Sequence, residues 1–122
     1  MPFQGCCSLE FTKKTAPISI CDRQFNIFPR YEVDDRIFDC YYDLFCTDIH
    51  KIGGYPNFIQ NDPRDDYGVD NDSLILLLQL DSQQNEAIQI WWADGGIANF
   101  FIKKSALERW DFSEVFYNWD CG

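Results

Sequence analysis

Apolar and polar residues alternate with a period of two where Cys7, Leu9 and Phe11 interleave with Ser8, Glu10 and Thr12, predicting a first strand that ends near Lys13-Lys14. Ala16-Pro17 breaks it. Asp22 is placed to cap a short helical turn through Phe25, closed by Pro29. Over residues 34–47 the apolar residues Ile37, Phe38, Tyr41, Tyr42, Leu44 and Phe45 fall at helical spacings, and Asp35, Asp39 and Asp43 recur every fourth position on another stripe. That pattern predicts an amphipathic helix with an acidic back. Residues 53–73 hold Gly53-Gly54, Pro56, Pro63, Gly68 and the acids Asp62, Asp65, Asp66, Asp70 and Asp72, with Arg64 among them, and read as a loop.

Residues 74–80 are apolar on both alternating faces apart from Gln79, as suits a strand inside a covered sheet. A polar turn over 81–86 follows, then a strand in which Ile88, Ile90 and Trp92 point one way and Gln89 and Trp91 the other. Asp94-Gly95-Gly96 is a hairpin signal leading into a strand over 97–102. Ser105-Ala106-Leu107-Glu108 has the capping-box pattern of a short helix through Trp110, and Val115, Tyr117 and Trp119 alternate with polar and aromatic neighbours in a last strand. The fold predicted is α+β, a single domain over residues 1–122 with a largely antiparallel sheet and two or three short helices.

Composition supports one packed domain: 122 residues can bury one core, and a hydrophobic share of 46% with an aromatic share of 17% excludes a disordered chain. Acidic residues outnumber basic ones 20 to 10, so direct binding to nucleic acid or an anionic membrane through a basic patch is not expected and a protein partner is expected to be basic. The first ten residues carry no Lys or Arg and no apolar stretch of signal-peptide length, and the apolar run at 74–78 is far short of the ~20 residues of a membrane span. A cytoplasmic location is expected, with the six cysteines as reduced, mostly buried thiols.

Little in the chain has the spacing of catalytic or metal chemistry. His50 is the only histidine, and Cys46 lies four residues before it, near enough to meet if the helix continues that far. An imidazole hydrogen-bonded to loop backbone explains the same residue without chemistry. Zinc lacks a C-x-x-C pair, the acidic loop lacks the glycine and terminal glutamate of a calcium loop, and no phosphate-binding glycine loop is present, so no cofactor and no metal are expected. Two features point to recognition of a macromolecule. Trp91 and Trp92 are adjacent, so one side of the sheet either buries an indole or presents it as an anchor. Asp35, Asp39 and Asp43 together with Asp62, Asp65 and Asp66 form one negative surface if the helix and loop lie side by side.

Four stretches in order resemble the YwqG-like family of bacterial proteins of unknown function. They are His50-Lys51-Ile52-Gly53-Gly54-Tyr55-Pro56, Gln60-Asn61-Asp62-Pro63-Arg64 with Leu76-Leu77-Leu78-Gln79-Leu80-Asp81-Ser82, Trp92-Ala93-Asp94-Gly95-Gly96 through Ile102, and Asp111-Phe112-Ser113 through Cys121. The resemblance covers the C-terminal half of longer members. Where that family usually has Gly this chain has Ala93, a strained choice if the position needs a positive φ. The resemblance implies an α+β fold, a bacterial or mobile-element origin and, from members in toxin–immunity loci, binding rather than catalysis. The function expected is a non-enzymatic inhibitor of immunity type that masks a basic protein surface. The alternatives are a nucleic-acid-mimicking inhibitor of a defence nuclease, of anti-CRISPR kind, and a small enzyme built on His50 and nearby acids. Apolar strands at 74–78, Trp91-Trp92 and Phe100-Phe101 also predict a homodimer covering an apolar face.

Overall fold

The computed structural model describes residues 2–3, 6, 8–25, 34–46, 50–66, 74–85 and 88–122. Its centre is the antiparallel pair β2 (Leu74–Asp81) and β5 (Ile97–Lys103), the two longest strands, in register from Leu74 opposite Lys103 to Asp81 opposite Ile97 with a bulge between Leu76 and Leu78. β1 (Lys51–Ile52) adds to the outer side of β2 and β6 (Phe116–Asp120) to the outer side of β5, giving a four-stranded antiparallel sheet in the order β1-β2-β5-β6. β3 (Gln83–Gln84) and β4 (Gln89–Ile90) pair separately as a small second sheet, to which Phe3 bridges at Ile90. Two α-helices complete the described elements, α1 (Asp35–Phe45) and α2 (Lys104–Glu108). The fold is α+β with an antiparallel sheet, as the residue pattern predicts.

One face of the main sheet carries the core. Leu76, Phe101 and Phe58 form it, with Phe101 stacked between Phe58 and Phe116 at 6.2 Å from each. Polar side chains share this interior. Gln79 of β2 is fully buried and its Oε1 accepts the Asn57 N–H at 2.8 Å; Asn99 of β5 donates to the Asn57 carbonyl at 3.0 Å. Ser19 donates to Asn57 Oδ1 at 2.7 Å, so a buried amide network ties the 50–66 segment and the 18–25 segment to the sheet.

Several local expectations are corrected. Residues 8–17 form no strand and lie exposed, because no strand of the sheet takes them as a partner and the alternation alone has nothing to pack on. β2 is not covered on both faces: only Leu76 and Gln79 are buried and the rest of the strand is half-buried. The Asp94-Gly95-Gly96 turn exists, with Gly96 N–H donating to the Trp92 carbonyl at 2.7 Å, yet it joins two sheets rather than a hairpin: β4 pairs with β3 while β5 pairs with β2 and β6. The long apolar β2 offers β5 more surface than the two-residue β4 does. α2 begins at Lys104 with Lys103 as its cap and no side-chain cap bond, so the Ser105 capping box does not form. Cys6 and Cys40 are exposed thiols, and of the described cysteines only Cys46 is buried. Cys7, Pro29, Asp70 and Asp72 lie outside the described residues.

Asp22 forms its turn as predicted, accepting from Gln24 N–H at 2.8 Å on its carboxylate and from Phe25 N–H on its carbonyl. α1 forms as predicted too, capped by Asp34, whose carboxylate accepts the Arg36 N–H at 2.9 Å. It buries no residue fully: Ile37 is 60% and Leu44 63% exposed. Tyr41 anchors the helix by donating to the Ile18 carbonyl at 2.8 Å, with Phe25 against its ring at 5.1 Å. Among the described residues no helix is long and apolar enough to cross a membrane.

Candidate functional site

The site is built around a buried arginine. A single turn of 3-10 helix, Pro63–Asp65, starts at Asp62, whose carboxylate accepts the Arg64 N–H at 3.0 Å and receives the guanidinium of the same residue at Nε (2.8 Å) and Nη2. Arg64 Nη2 also donates to Asp22 at 2.6 Å and Nη1 to the Leu74 carbonyl at 3.3 Å, while the guanidinium carbon lies 5.2 Å from the Phe101 ring centre. Burial works against the charge of Arg64, but the bonds to Asp62 and Asp22 outweigh it and hold its pKa above the ordinary value. One guanidinium thus fixes the 18–25 segment, the 3-10 turn, β2 and β5 in a single arrangement.

That arrangement sets the acidic loop against α1. Between them opens a cleft of about 560 Å³ whose walls include Arg23 from the 18–25 segment, Phe38, Asp39 and Tyr42 from α1, Phe58 from the core loop, and Asp65 and Asp66 from the end of the 3-10 turn. The predicted merger of helix and loop acids therefore occurs for Asp39, Asp65 and Asp66, all exposed and without an ion pair among the described residues. Asp35 and Asp43 are exposed on α1 but do not line the cleft. Asp62 reaches the cleft wall only as a buried residue engaged with Arg64, so it holds the site rather than facing a partner. Tyr42 has its hydroxyl pKa raised, chiefly by burial and then by the neighbouring Cys21 and Cys46.

The other candidates lie elsewhere. Trp91 and Trp92 follow β4 rather than sit within it; Trp91 is 47% exposed and Trp92 is buried against Tyr117, ring centres 6.1 Å apart. α1 ends at Phe45 with Cys46 as its cap, so the helical i, i+4 meeting of Cys46 and His50 does not form. Cys46 instead packs 3.8 Å from the Ser19 hydroxyl. His50 Nδ1 accepts the Asp81 N–H at 3.2 Å, which leaves Nε2 to carry the hydrogen and donate to Gln83 Oε1 at 2.6 Å. Both ring nitrogens are occupied in holding β1's approach to the start of the small sheet. Among the described residues no group of three or more His, Cys, Asp or Glu stands where it could hold a metal ion.

Reasoning from the residues alone missed Asp22 and Arg64 as partners. The available signal was a lone arginine inside an acidic run directly after Asp62-Pro63, a place where burial with two carboxylates is the way to keep a cation in a core.

The antiparallel α+β sheet with its buried Asp–Arg–Asp centre places the protein among small mixed domains that hold polar interiors. Its family is shown by the family model described as "Domain of unknown function (DUF1963)", which matches residues 1–121, and the chain belongs to that family. No curated protein matches the chain.

Proposed function

We propose that this chain is a cytoplasmic, non-enzymatic binding protein of a YwqG-like bacterial or phage lineage, an immunity-type inhibitor that covers a basic surface of its protein partner with the cleft between α1 and the 3-10 turn. The observation that supports this reading is the meeting of Asp39, Asp65 and Asp66 from separate segments beside the aromatic walls of Phe38, Tyr42 and Phe58. Arg64, the cation beside Asp65 and Asp66 in sequence, is turned inward between Asp22 and Asp62, and the cleft wall carries Arg23 against Asp39, Asp62, Asp65 and Asp66, an excess of acid. A cationic side chain entering it gains both carboxylates and ring faces. His50, with both nitrogens engaged in structural bonds, favours this reading over a histidine-based enzyme.

The reading is tested by affinity capture from host extract with the wild type and with the Asp39→Asn/Asp65→Asn/Asp66→Asn variant. A basic protein retained by the first, released by moderate salt and missed by the second is the expected result. Retention of the same partner by both proteins contradicts a cleft-based mechanism.

A further inference from the structure

The free edge of β6 carries a second piece of information, independent of the cleft. Ser82 N–H donates to the Gly96 carbonyl at 3.1 Å, which fixes the alternation of the β2–β5 ladder: residues 96, 98 and 100 direct their backbone groups toward β2, and residues 97, 99 and 101 direct theirs toward β6. Their partners in register, Asp120, Asn118 and Phe116, therefore turn inward to β5. Tyr117 and Trp119 are left with N–H and C=O pointing out of the sheet, and no backbone bond to either is found on that side among the described residues.

Natural edges are usually blunted by proline, lysine, a bulge or a covering segment. Residues 116–120 contain no proline, lysine or glycine, and the β5–β6 register runs without a shift. The same two residues also leave their side chains half-exposed, Tyr117 at 44% and Trp119 at 45%, on the face away from Phe101 and Phe116.

The geometry points to a second copy of this chain paired antiparallel along β6, with the two-fold axis at Asn118. In that register Tyr117 of one protomer stands opposite Trp119 of the other as a bonded pair, twice over, so every outward N–H and C=O of the two residues finds a partner. The aromatic side chains meet across the strands, one of the pairings that stabilise antiparallel sheets, and the two sheets become one of eight strands. A two-fold axis at residue 117 or 119 would instead set one outward residue of each copy opposite a residue beyond the ends of β6. Asn118 faces its own copy at the axis as a non-hydrogen-bonded pair, where side chains are closest. Each chain carries a net charge of -10, so self-association strengthens with added salt, opposite to the response of an acidic cleft binding a basic partner.

The test is light scattering after gel filtration at tens of micromolar under reducing conditions, with Trp119→Pro, whose lost N–H is an outward one that the β5 ladder does not use, and Trp119→Lys. Wild type is expected at twice the 14.4 kDa chain mass, and both variants, with unchanged far-ultraviolet circular dichroism, at one chain mass or with dimer association weakened by about tenfold or more. Asn118→Cys gives an independent reading: mild oxidation is expected to join residue 118 to residue 118 of the other copy, identified by peptide mass. A single-chain mass at every concentration, or a dimer that survives both Trp119 variants and forms no 118–118 link, overturns the proposal.

Discussion

Arg64 Nη2 and Asp22 Oδ2 stand 2.6 Å apart with both side chains buried, joining positions 42 residues apart in sequence. Removing the cation leaves Asp22 and Asp62 as buried carboxylates with no countercharge, a loss of about 3–5 kcal/mol in comparable pairs. Arg64→Leu is therefore expected to unfold the domain or to lower its urea midpoint sharply. Arg64→Lys keeps the charge but not the planar fork and should fall between. A loss below about 1 kcal/mol for Arg64→Leu contradicts the role assigned to this pair.

Asp81 titrates above its ordinary 3.8, with burial as the main cause, opposed in part by the Ser82 N–H and by His50. A raised carboxyl pKa means that the protonated form suits the folded state better. The resulting stabilisation is complete below pH 3.8 and is lost as pH rises through the higher folded value. Asp81→Asn, which does not titrate, should be slightly more stable than wild type at pH 7, the gain narrowing in acid; partial exposure keeps it small. Paired denaturation curves at pH 3 to 7 check this, and a variant that is less stable at neutral pH contradicts it.

Ala93 sits at φ 45°, the left-handed region that costs a residue with a Cβ roughly 1–2 kcal/mol. Ala93→Gly should raise stability by about 0.5–1 kcal/mol after the extra chain entropy of glycine is counted. Three residues on, Gly96 has the reverse constraint: a Cβ there would stand 2.1 Å from the Asp120 carbonyl oxygen. Gly96→Ala must push β6 from β5 and should cost well over 1 kcal/mol. Thermal melts of the two variants should move in opposite directions.

His50→Ala removes two structural bonds, to Asp81 N–H and to Gln83, and on the proposed binding function these are all it removes. Inhibition or binding should persist, reduced only as far as the variant is less stable. A folded His50→Ala protein that loses its biological effect 100-fold or more would favour the enzyme reading.

The elements that could be read from sequence are those whose information is local. α1 is set by helical spacing, β2 and β5 by apolar runs between turn residues and β6 by alternation, while the strain at Ala93 was marked only through the family resemblance, in which that position is usually glycine. What was not legible depends on partners distant in the chain. Alternation at 8–12 resembled a strand, but only pairing makes one. The turn at 94–96 looked like a hairpin because sequence does not tell which strand β5 will choose. Asp62 looked like one more surface acid until Arg64 and Asp22 closed around it. Asp39, Asp65 and Asp66 were legible as acids, while their convergence in one cleft required the fold.

The central claim is that these three carboxylates steer a basic partner, and the association rate measures it most directly. Stopped-flow or surface-based kinetics with the captured partner should show a wild-type on-rate that falls steeply as salt rises. Asp39→Asn/Asp65→Asn/Asp66→Asn should lower the on-rate at low salt by about tenfold and flatten its salt dependence, with little change in unfolding midpoint because all three are surface residues. An on-rate indifferent to both salt and the three substitutions contradicts the account and leaves the acidity of the cleft as a contribution to solubility alone.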